Sequence, residues 1–148
     1  MGRHEFKWDP SDPNDPGPCM KVQVMNALDF IDGWRDLGLD CPAPCTLTAL
    51  IDTGSPFTVI SKTYANYCKL VQTSPPVPVK TLGGTAMCGE HAGSVAFPNT
   101  NLHSIDAIRI VSGEFLKEPH FSCLIGRDIL QNWRITFDGR RRVVTIED

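Results

Sequence analysis

The sequence predicts an all-β domain with one short helix near its C-terminus. Twelve prolines and twelve glycines occur in clusters along the 148 residues, which favours short strands joined by turns over a helical bundle. Apolar and polar residues alternate over 20–25 and again over 105–111, as expected for strands with one buried face. Asp138-Gly139, between two β-rich runs, is the strongest hairpin signal in the chain.

The predicted elements follow one another along the chain. Residues 1–18 are rich in proline and aspartate and predict an N-terminal tail, either flexible or draped over the body, which leaves 19–148 as the folded domain. A long irregular connection is expected over 27–44, and 62–70 suits either a short helix or an irregular segment. The predicted strands span 20–25, 45–51, 57–61, 79–82, 94–97, 105–111, 121–125, 134–137 and 142–146, and the short helix spans 129–133.

A glycine-rich segment lies between two of these predicted strands. Residues 83–89 are small and largely uncharged, so they suit the flexible tip of a hairpin. A mobile tip on a long hairpin can act as a lid over a site. The alternative is a hairpin turn without a function, and the pattern alone favours neither interpretation.

Composition and charge exclude several classes of function. The formal net charge of −3 gives no electrostatic footprint for nucleic acid, and the short run Arg140-Arg141-Arg142 predicts a solvated turn. Apolar runs fall well short of the ~20 residues of a membrane span. The first seven residues lack the apolar region of a secretory signal. We therefore expect a cytoplasmic protein with neither nucleic-acid nor membrane partners.

The cysteines and histidines give no pattern of a metal site. Cys41 and Cys45 are separated by three residues, and no matching Cys or His pair follows them, so neither a metal nor another cofactor is predicted. Reduced thiols are expected for a domain of this size without a visible secretory signal. The four histidines are scattered and predict surface or loop positions. The cysteines are Cys19, Cys41, Cys45, Cys68, Cys88 and Cys123.

The residue that most suggests chemistry is Asp52. It ends the apolar run 45–51 and is followed by Thr53 and Gly54. Aspartate is disfavoured inside strands, and Gly54 can take backbone angles closed to other residues, so a strand is expected to break into a tight turn here. An ionised carboxylate beside an apolar strand costs free energy unless it is hydrogen-bonded or paired. Asp52 is therefore a candidate catalytic residue.

Asp52 belongs to the first of two motifs that occur in a fixed order. The first motif, 49–55, reads Ala-Leu-Ile-Asp-Thr-Gly-Ser, and the second, 124–130, reads Leu-Ile-Gly-Arg-Asp-Ile-Leu. Together, and over roughly residues 20–148, they make the chain resemble the retropepsin-like aspartic proteases, which are retroviral-type single-domain peptidases. Either motif alone would be a weak signal. The residues of the second motif that define the resemblance are Leu124, Ile125, Gly126, Arg127 and Asp128.

The resemblance implies a closed, mostly antiparallel β-barrel with a flap hairpin over an active cleft. It implies that Asp52 is the catalytic aspartate, assisted by Thr53 and Gly54. It also places an extended polypeptide substrate under the flap. The expected substrate-binding residues are Ser55, Phe57, Gly83, Gly84, Thr85, Ala86 and Met87.

The number of catalytic motifs predicts the assembly. Aspartic protease chemistry needs two carboxylates that share one proton, one acting as base and the other as acid. The chain has a single Asp-Thr-Gly and no Asp-Ser-Gly, and Asp32-Gly33 and Asp138-Gly139 lack the intervening hydroxyl residue. We therefore expect a symmetric homodimer in which Asp52 of each copy meets on the two-fold axis.

One departure from the family and one alternative function bear on this reading. Pro56 and Phe57 stand where retroviral members usually have acidic residues, so the ion pair of Arg127 is either absent or rebuilt with another residue. Phe57 also makes the adjoining subsite more apolar.

The alternative function is a non-catalytic peptide-binding or scaffolding dimer with the same fold. The intact Asp52-Thr53-Gly54 favours the enzyme.

Overall fold

A computed structural model describes residues 1–114, 116–117 and 119–148 of the chain. Strands predominate, as predicted, and three short helices are interspersed among them. In chain order the elements are β1 (Arg3–Lys7), β2 (Cys19–Asn26), α1 (Leu28–Asp36), β3 (Cys45–Ile51), β4 (Val59–Ser61), α2 (Lys62–Tyr67), β5 (Val77–Thr81), β6 (Gly84–Ala96), β7 (Ile105–Gly113), β8 (Cys123–Ile125), α3 (Arg127–Leu130), β9 (Arg134–Asp138) and β10 (Val143–Glu147).

Six of the strands close into a barrel. Neighbouring strands pair in the order β2, β3, β8, β4, β7 and β6, and β6 pairs back with β2 to complete the ring. Most pairs are antiparallel, but β8 runs parallel to β3 and β7 runs parallel to β4. The expectation of a closed, mostly antiparallel barrel is confirmed. The pairing of β2 with β6 gives hydrogen-bond partners to main-chain groups that an open sheet would leave unpaired at its edges.

The barrel is filled by the apolar residues that alternate along its strands. Val22 and Val24 of β2 and Leu47 and Ala49 of β3 are all buried, as a period of two predicts. Burying a side chain such as Val or Leu contributes roughly 1.5–3 kcal/mol to folding. The alternation seen in the sequence is therefore the main cause of the fold.

A second sheet ties the two ends of the chain together. Its central strand β10 pairs antiparallel with β9, as the Asp138-Gly139 hairpin predicts, and also with β1. The backbone nitrogen of Gly2 donates to Oδ1 of Asp148 at 2.7 Å. Of the two options for the tail, Arg3–Lys7 is therefore held against the body of the domain as strand β1. The segment that follows, 9–17, forms turns capped by its own aspartates.

Two of the three helices, α2 and α3, agree with the sequence analysis, which allowed a helix over 62–70 and predicted one over 129–133. For 62–70 the helical option is correct, with Ser61 capping α2, and α3 begins two residues before the predicted helix. The third helix, α1, lies in the connection that was expected to be irregular. Asp29 in its first turn and Arg35 in its last turn suit the helix dipole. Among the described residues no helix has the length and apolar character needed to cross a membrane.

A glycine-containing hairpin is present, but the predicted partner of its first strand is wrong: β5 pairs with 84–88, whereas 94–96 pairs with β2, so the turn is shorter than expected. Thr81 pairs with Gly84, which leaves Leu82-Gly83 as the turn between β5 and β6. The remaining residues of the expected flexible tip, 85–89, continue strand β6 instead. Gly84 has a φ of 116°, in the region that favours glycine, so it allows the chain to reverse here.

A disulfide joins Cys45 and Cys68, so the expectation of reduced thiols is wrong for this pair. Both residues are buried, with a Cα–Cα distance of 6.0 Å. The bond links the first residue of β3 to the residue that ends α2. It therefore anchors the start of the strand that leads to Asp52.

Reduction of this disulfide should destabilise the fold. The two cysteines are 23 residues apart, and releasing a loop of that length gives the unfolded chain conformational entropy worth about 3 kcal/mol. We expect dithiothreitol, or the double variant Cys45→Ala/Cys68→Ala, to lower the free energy of unfolding by about that amount in urea titrations. The exposed Cys41→Ala is the control. Identical unfolding midpoints with and without reductant would contradict the prediction.

His91 is buried in the barrel, contrary to the expectation of a surface or loop position. Its side chain is 7% exposed. Nε2 lies 2.8 Å from Oγ of Ser112, and Nδ1 lies 3.3 Å from the carbonyl oxygen of Leu70. Burial lowers the pKa of His91, although contacts with the backbone and with Glu90 partly oppose this. The folded chain thus favours the neutral imidazole over the charged one more than the unfolded chain does.

The lowered pKa of His91 predicts a loss of stability in acid. Above the ordinary value of 6.5 the imidazole is neutral in both states, but below it the unfolded chain takes up a proton first. Stability should therefore fall as the pH decreases from 6.5 towards the lower pKa of the folded state. Urea midpoints between about pH 7.5 and pH 5 should change less in His91→Gln than in the wild type. His120→Gln, at an exposed position, should retain the wild-type slope.

Candidate active site

The parallel pairing of β3 with β8 places the two sequence motifs side by side. Ile51 pairs with Ile125, and the backbone nitrogen of Asp52 donates to the carbonyl oxygen of Ile125 at 3.1 Å. Because the two strands run parallel, they leave the sheet at the same edge. The turn that starts at Asp52 and the turn that starts at Gly126 therefore begin next to each other.

The carboxylate of Asp52 accepts a main-chain hydrogen bond and is still partly exposed to solvent. It is half-buried, and its Oδ1 accepts a hydrogen bond from the backbone nitrogen of Gly54 at 2.9 Å. The backbone nitrogen of Ser55 donates to the carbonyl oxygen of Asp52 at 3.2 Å, which closes the turn. Thr53 and Gly54 are exposed. This arrangement lowers the cost of the charge next to an apolar strand and leaves the carboxylate open to a partner.

Gly126 allows the loop after Asp52 to pack against the second motif. A Cβ atom at this position would lie 2.3 Å from the carbonyl carbon and oxygen of Phe57. The backbone nitrogen of Arg127 donates to the carbonyl oxygen of Ser55 at 2.9 Å. The loop and the start of α3 therefore touch through main-chain atoms, which requires glycine.

Asp128 ties the same loop to α3 through two hydrogen bonds and accepts a third from within α3. Its carboxylate accepts from the backbone nitrogen and the hydroxyl of Thr58, at 2.8 and 2.9 Å, and from the backbone nitrogen of Ile129 at 2.9 Å. Hydrogen bonds to a charged group stabilise by roughly 1.5–3 kcal/mol. Thr58 was not among the predicted site residues, since its partner is 70 positions away and leaves no local signal.

Arg127 has a main-chain partner in the Asp52 turn. Its Nη1 donates to the carbonyl oxygen of Thr53 at 3.4 Å, across the turn that carries Asp52. Its side chain is exposed. Among the residues that the structure describes, no acidic side chain pairs with Arg127, and its guanidinium instead holds the Asp52 turn through a backbone oxygen.

An apolar cluster, here called the cleft cluster, connects the Asp52 loop with the β5–β6 hairpin. It is distinct from the main core and brings together two predicted substrate-binding residues, Phe57 and Ala86. The other predicted residues are less involved: Ser55 is buried and its hydroxyl donates to the carbonyl oxygen of Phe57 at 2.6 Å. Gly83, Gly84, Thr85 and Met87 are exposed on the hairpin. The cleft cluster comprises Phe57, Val59, Val79, Ala86, Cys88, Val111, Leu116, Phe121 and Leu124.

The free thiols near this site are poor nucleophiles. Burial raises the pKa of the Cys123 thiol, with a further contribution from the Asp128 carboxylate. Burial also raises the pKa of Cys88, and it raises that of Cys19 to about 11. Since the thiolate is the reactive form, these residues remain protonated near neutral pH. The carboxylate of Asp52 is the better candidate for chemistry.

Solved structures show what the fold of this chain resembles. It aligns with EIAV protease, crystallised in complex with the inhibitor HBY-793, with a TM-score of 0.54 and 17% identity over 86% of this chain and 93% of that one. It aligns with a retropepsin-like aspartic protease from Rickettsia conorii with a TM-score of 0.52 and 12% identity over 98% and 89%. The chain therefore has a retropepsin-like fold, as the two motifs indicated. No family model matches the sequence, and neither does any curated protein.

Gly126→Ala should disrupt the packing between the two motifs. The added methyl group would overlap the carbonyl of Phe57, and backbone that must shift to relieve such overpacking typically costs about 1–3 kcal/mol. We expect a corresponding decrease in the free energy of unfolding. Gly139→Ala is the matched control, because a Cβ there meets open space. Equal stability of the two variants would refute the close contact.

Proposed function

We propose that this protein is an aspartic endopeptidase that acts as a homodimer. The observation that supports the proposal best is the half-buried Asp52 carboxylate on the turn where β3 and β8 leave the sheet, in a retropepsin-like fold. Its Oδ1 is supported by the backbone nitrogen of Gly54, and its neighbours Thr53 and Gly54 are exposed. This surface suits contact with a second copy and with a peptide.

The second carboxylate would come from a second copy of the chain. The remaining Asp-Gly pairs lie in unrelated places: Asp32 is on α1, and Asp138 ends β9. A two-fold axis beside Thr53 would bring one Asp52 towards the other and give the two required carboxylates. Across that axis the exposed Thr53 hydroxyls could exchange hydrogen bonds.

The paired carboxylates would activate a water molecule. Two carboxylates a few ångströms apart do not both ionise, so the pair holds one proton and titrates as a unit. The ionised member removes a proton from the water as its oxygen attacks the scissile carbonyl carbon, and the other member protonates the carbonyl oxygen. As the C–N bond breaks, the carboxyl that took the proton from water passes it to the leaving nitrogen, and the other carboxylate recovers a proton from a hydroxyl of the tetrahedral species, which leaves an acid and an amine. This route forms no covalent enzyme intermediate and uses no cofactor.

The β5–β6 hairpin would act as the flap over an extended polypeptide. Its turn, Leu82-Gly83, is exposed, whereas Val79 and Ala86 reach the cleft cluster. A peptide lying between the hairpin and the Asp52 loop would contact this apolar surface. Hairpin closure would also exclude bulk water from the carboxylate pair.

Asp52→Asn should abolish peptide-bond cleavage while leaving the fold and the dimer intact. Asparagine keeps the size of the side chain and its acceptor for Gly54, but it cannot serve as the base. The measurement is the digestion of a peptide library and an unstructured protein at about pH 3 to 7, the range set by carboxylate titration. Asp32→Asn, which changes an Asp-Gly outside the site, should cleave like the wild type.

The outcomes separate the enzyme from the alternative binding or scaffolding dimer. Equal cleavage by the wild type and Asp52→Asn would end the aspartic protease proposal. Peptide binding without turnover at any pH would support the scaffolding dimer. Analytical ultracentrifugation over a range of protein concentrations tests the assembly, and full activity of a strictly monomeric species would overturn the shared carboxylate pair.

A further inference from the structure

An ion pair borders the cleft cluster. Nη2 of Arg109 on β7 lies 2.6 Å from Oε2 of Glu90 on β6. Glu90 is directly opposite Val111 in the register, so Arg109 is its diagonal neighbour on the same face of the sheet. The Glu90 side chain is 22% exposed and that of Arg109 is 47% exposed. The pair is thus partly desolvated and has a defined geometry.

The guanidinium of Arg109 also covers the ring of Phe57. Its Cζ lies 5.2 Å from the ring centroid, within the range of a cation–π contact. Phe57 belongs to the loop that starts at Asp52 and is half-buried in the cleft cluster. Arg109 therefore contacts both the Glu90 carboxylate, which fixes its position, and the ring of Phe57. Phe57 lies five positions after the candidate catalytic residue Asp52.

The position of the ion pair follows from the period of the strands. Side chains two residues apart lie on the same face, so Glu90 shares its face with Cys88, and Arg109 shares its face with Val111. Cys88 and Val111 are buried members of the cleft cluster. The opposite face carries His91 and Ile110, which are buried towards the barrel. The ion pair therefore lies at the margin of the apolar surface under the hairpin.

We propose that Arg109, fixed by Glu90, is a positioning residue that holds the Phe57 ring as one wall of an apolar subsite. It thereby selects peptides with an apolar side chain at that subsite. The inference rests on the proposed peptidase function. A role for Arg109 as receptor of a substrate carboxylate is disfavoured, because Glu90 already pairs with its guanidinium.

The test compares matched peptides that differ in one side chain. Phe57→Leu first identifies the substrate position whose selectivity depends on this wall. Peptides with Leu or Glu at that position are then assayed with the wild type, Arg109→Met and Arg109→Lys. Methionine keeps the apolar stem without the charge, whereas lysine keeps the charge without the planar guanidinium. Arg35→Met, which breaks an exposed ion pair on α1, is the control.

We expect Arg109→Met to raise KM for the Leu peptide by about two- to fivefold, the size of an exposed cation–π contact, with kcat unchanged. Arg109→Lys should be intermediate, and Arg35→Met should match the wild type. In a Phe57→Leu background the effect of Arg109→Met should disappear. Unchanged selectivity, or an effect that persists without Phe57, would overturn the proposal. A loss confined to the Glu peptide would assign Arg109 to carboxylate recognition instead.

Binding measurements keep this result separate from the proposed function. The affinities of fluorescently labelled Leu and Glu peptides for Asp52→Asn are compared with those for Asp52→Asn/Arg109→Met. If the wild type cleaves nothing, the peptidase proposal fails, but the affinity ratio still decides the role of Arg109. If the wild type cleaves, but the ratio of Leu-peptide to Glu-peptide affinity is the same for Asp52→Asn and Asp52→Asn/Arg109→Met, only the inference about Arg109 fails.

Discussion

The close approach of two main-chain turns determines the geometry of the candidate site. One turn carries Asp52, and the other starts at Gly126, where the absence of a side chain lets the Phe57 carbonyl pass at contact distance. The parallel pairing of β3 and β8 brings the turns to the same edge, and Asp128 then fixes the loop through Thr58. Each of these contacts depends on the others. A shift of the Asp52 loop would break the hydrogen bonds between Thr58 and Asp128, so both main-chain packing and the Asp128 side chain fix the position of the Asp52 carboxylate.

Strands β6 and β7 separate two different environments. On the barrel side, His91 and Ser112 form a polar contact among apolar side chains, which is tolerated because both groups have hydrogen-bond partners. On the cleft side, the cleft cluster is bordered by Glu90 and Arg109. The same pair of strands thus contributes both to the stability of the barrel and to the surface on which a peptide would lie.

The sequence predicted the features that depend on local pattern. The observed elements include the strands predicted from alternation over 20–25 and 105–111, the Asp138-Gly139 hairpin and the turn at Asp52. These features were predictable because strand periodicity and turn chemistry depend on residues close together in the sequence. Long-range partners were not predictable in the same way. The contact of Arg109 with Phe57 and that of Asp128 with Thr58 arise only when distant strands pair. Helix α1 was missed because Gly33 weakens the helical signal and its cap residue, Ala27, gives no side-chain hydrogen bond.

The pairing of β1 with β10 has a consequence for the synthesis of the chain. Among the described strands, β1 is translated before the others and its partner β10 after them, with Arg3 opposite Glu147. β1 therefore remains unpaired while more than a hundred further residues are translated. Contacts between residues so far apart in the chain are slow to form. Gly126 likewise appears long after Asp52. A nascent chain that already carries Asp52-Thr53-Gly54 would thus lack both the support of that turn and the sheet of β1, β10 and β9 until these later residues are translated.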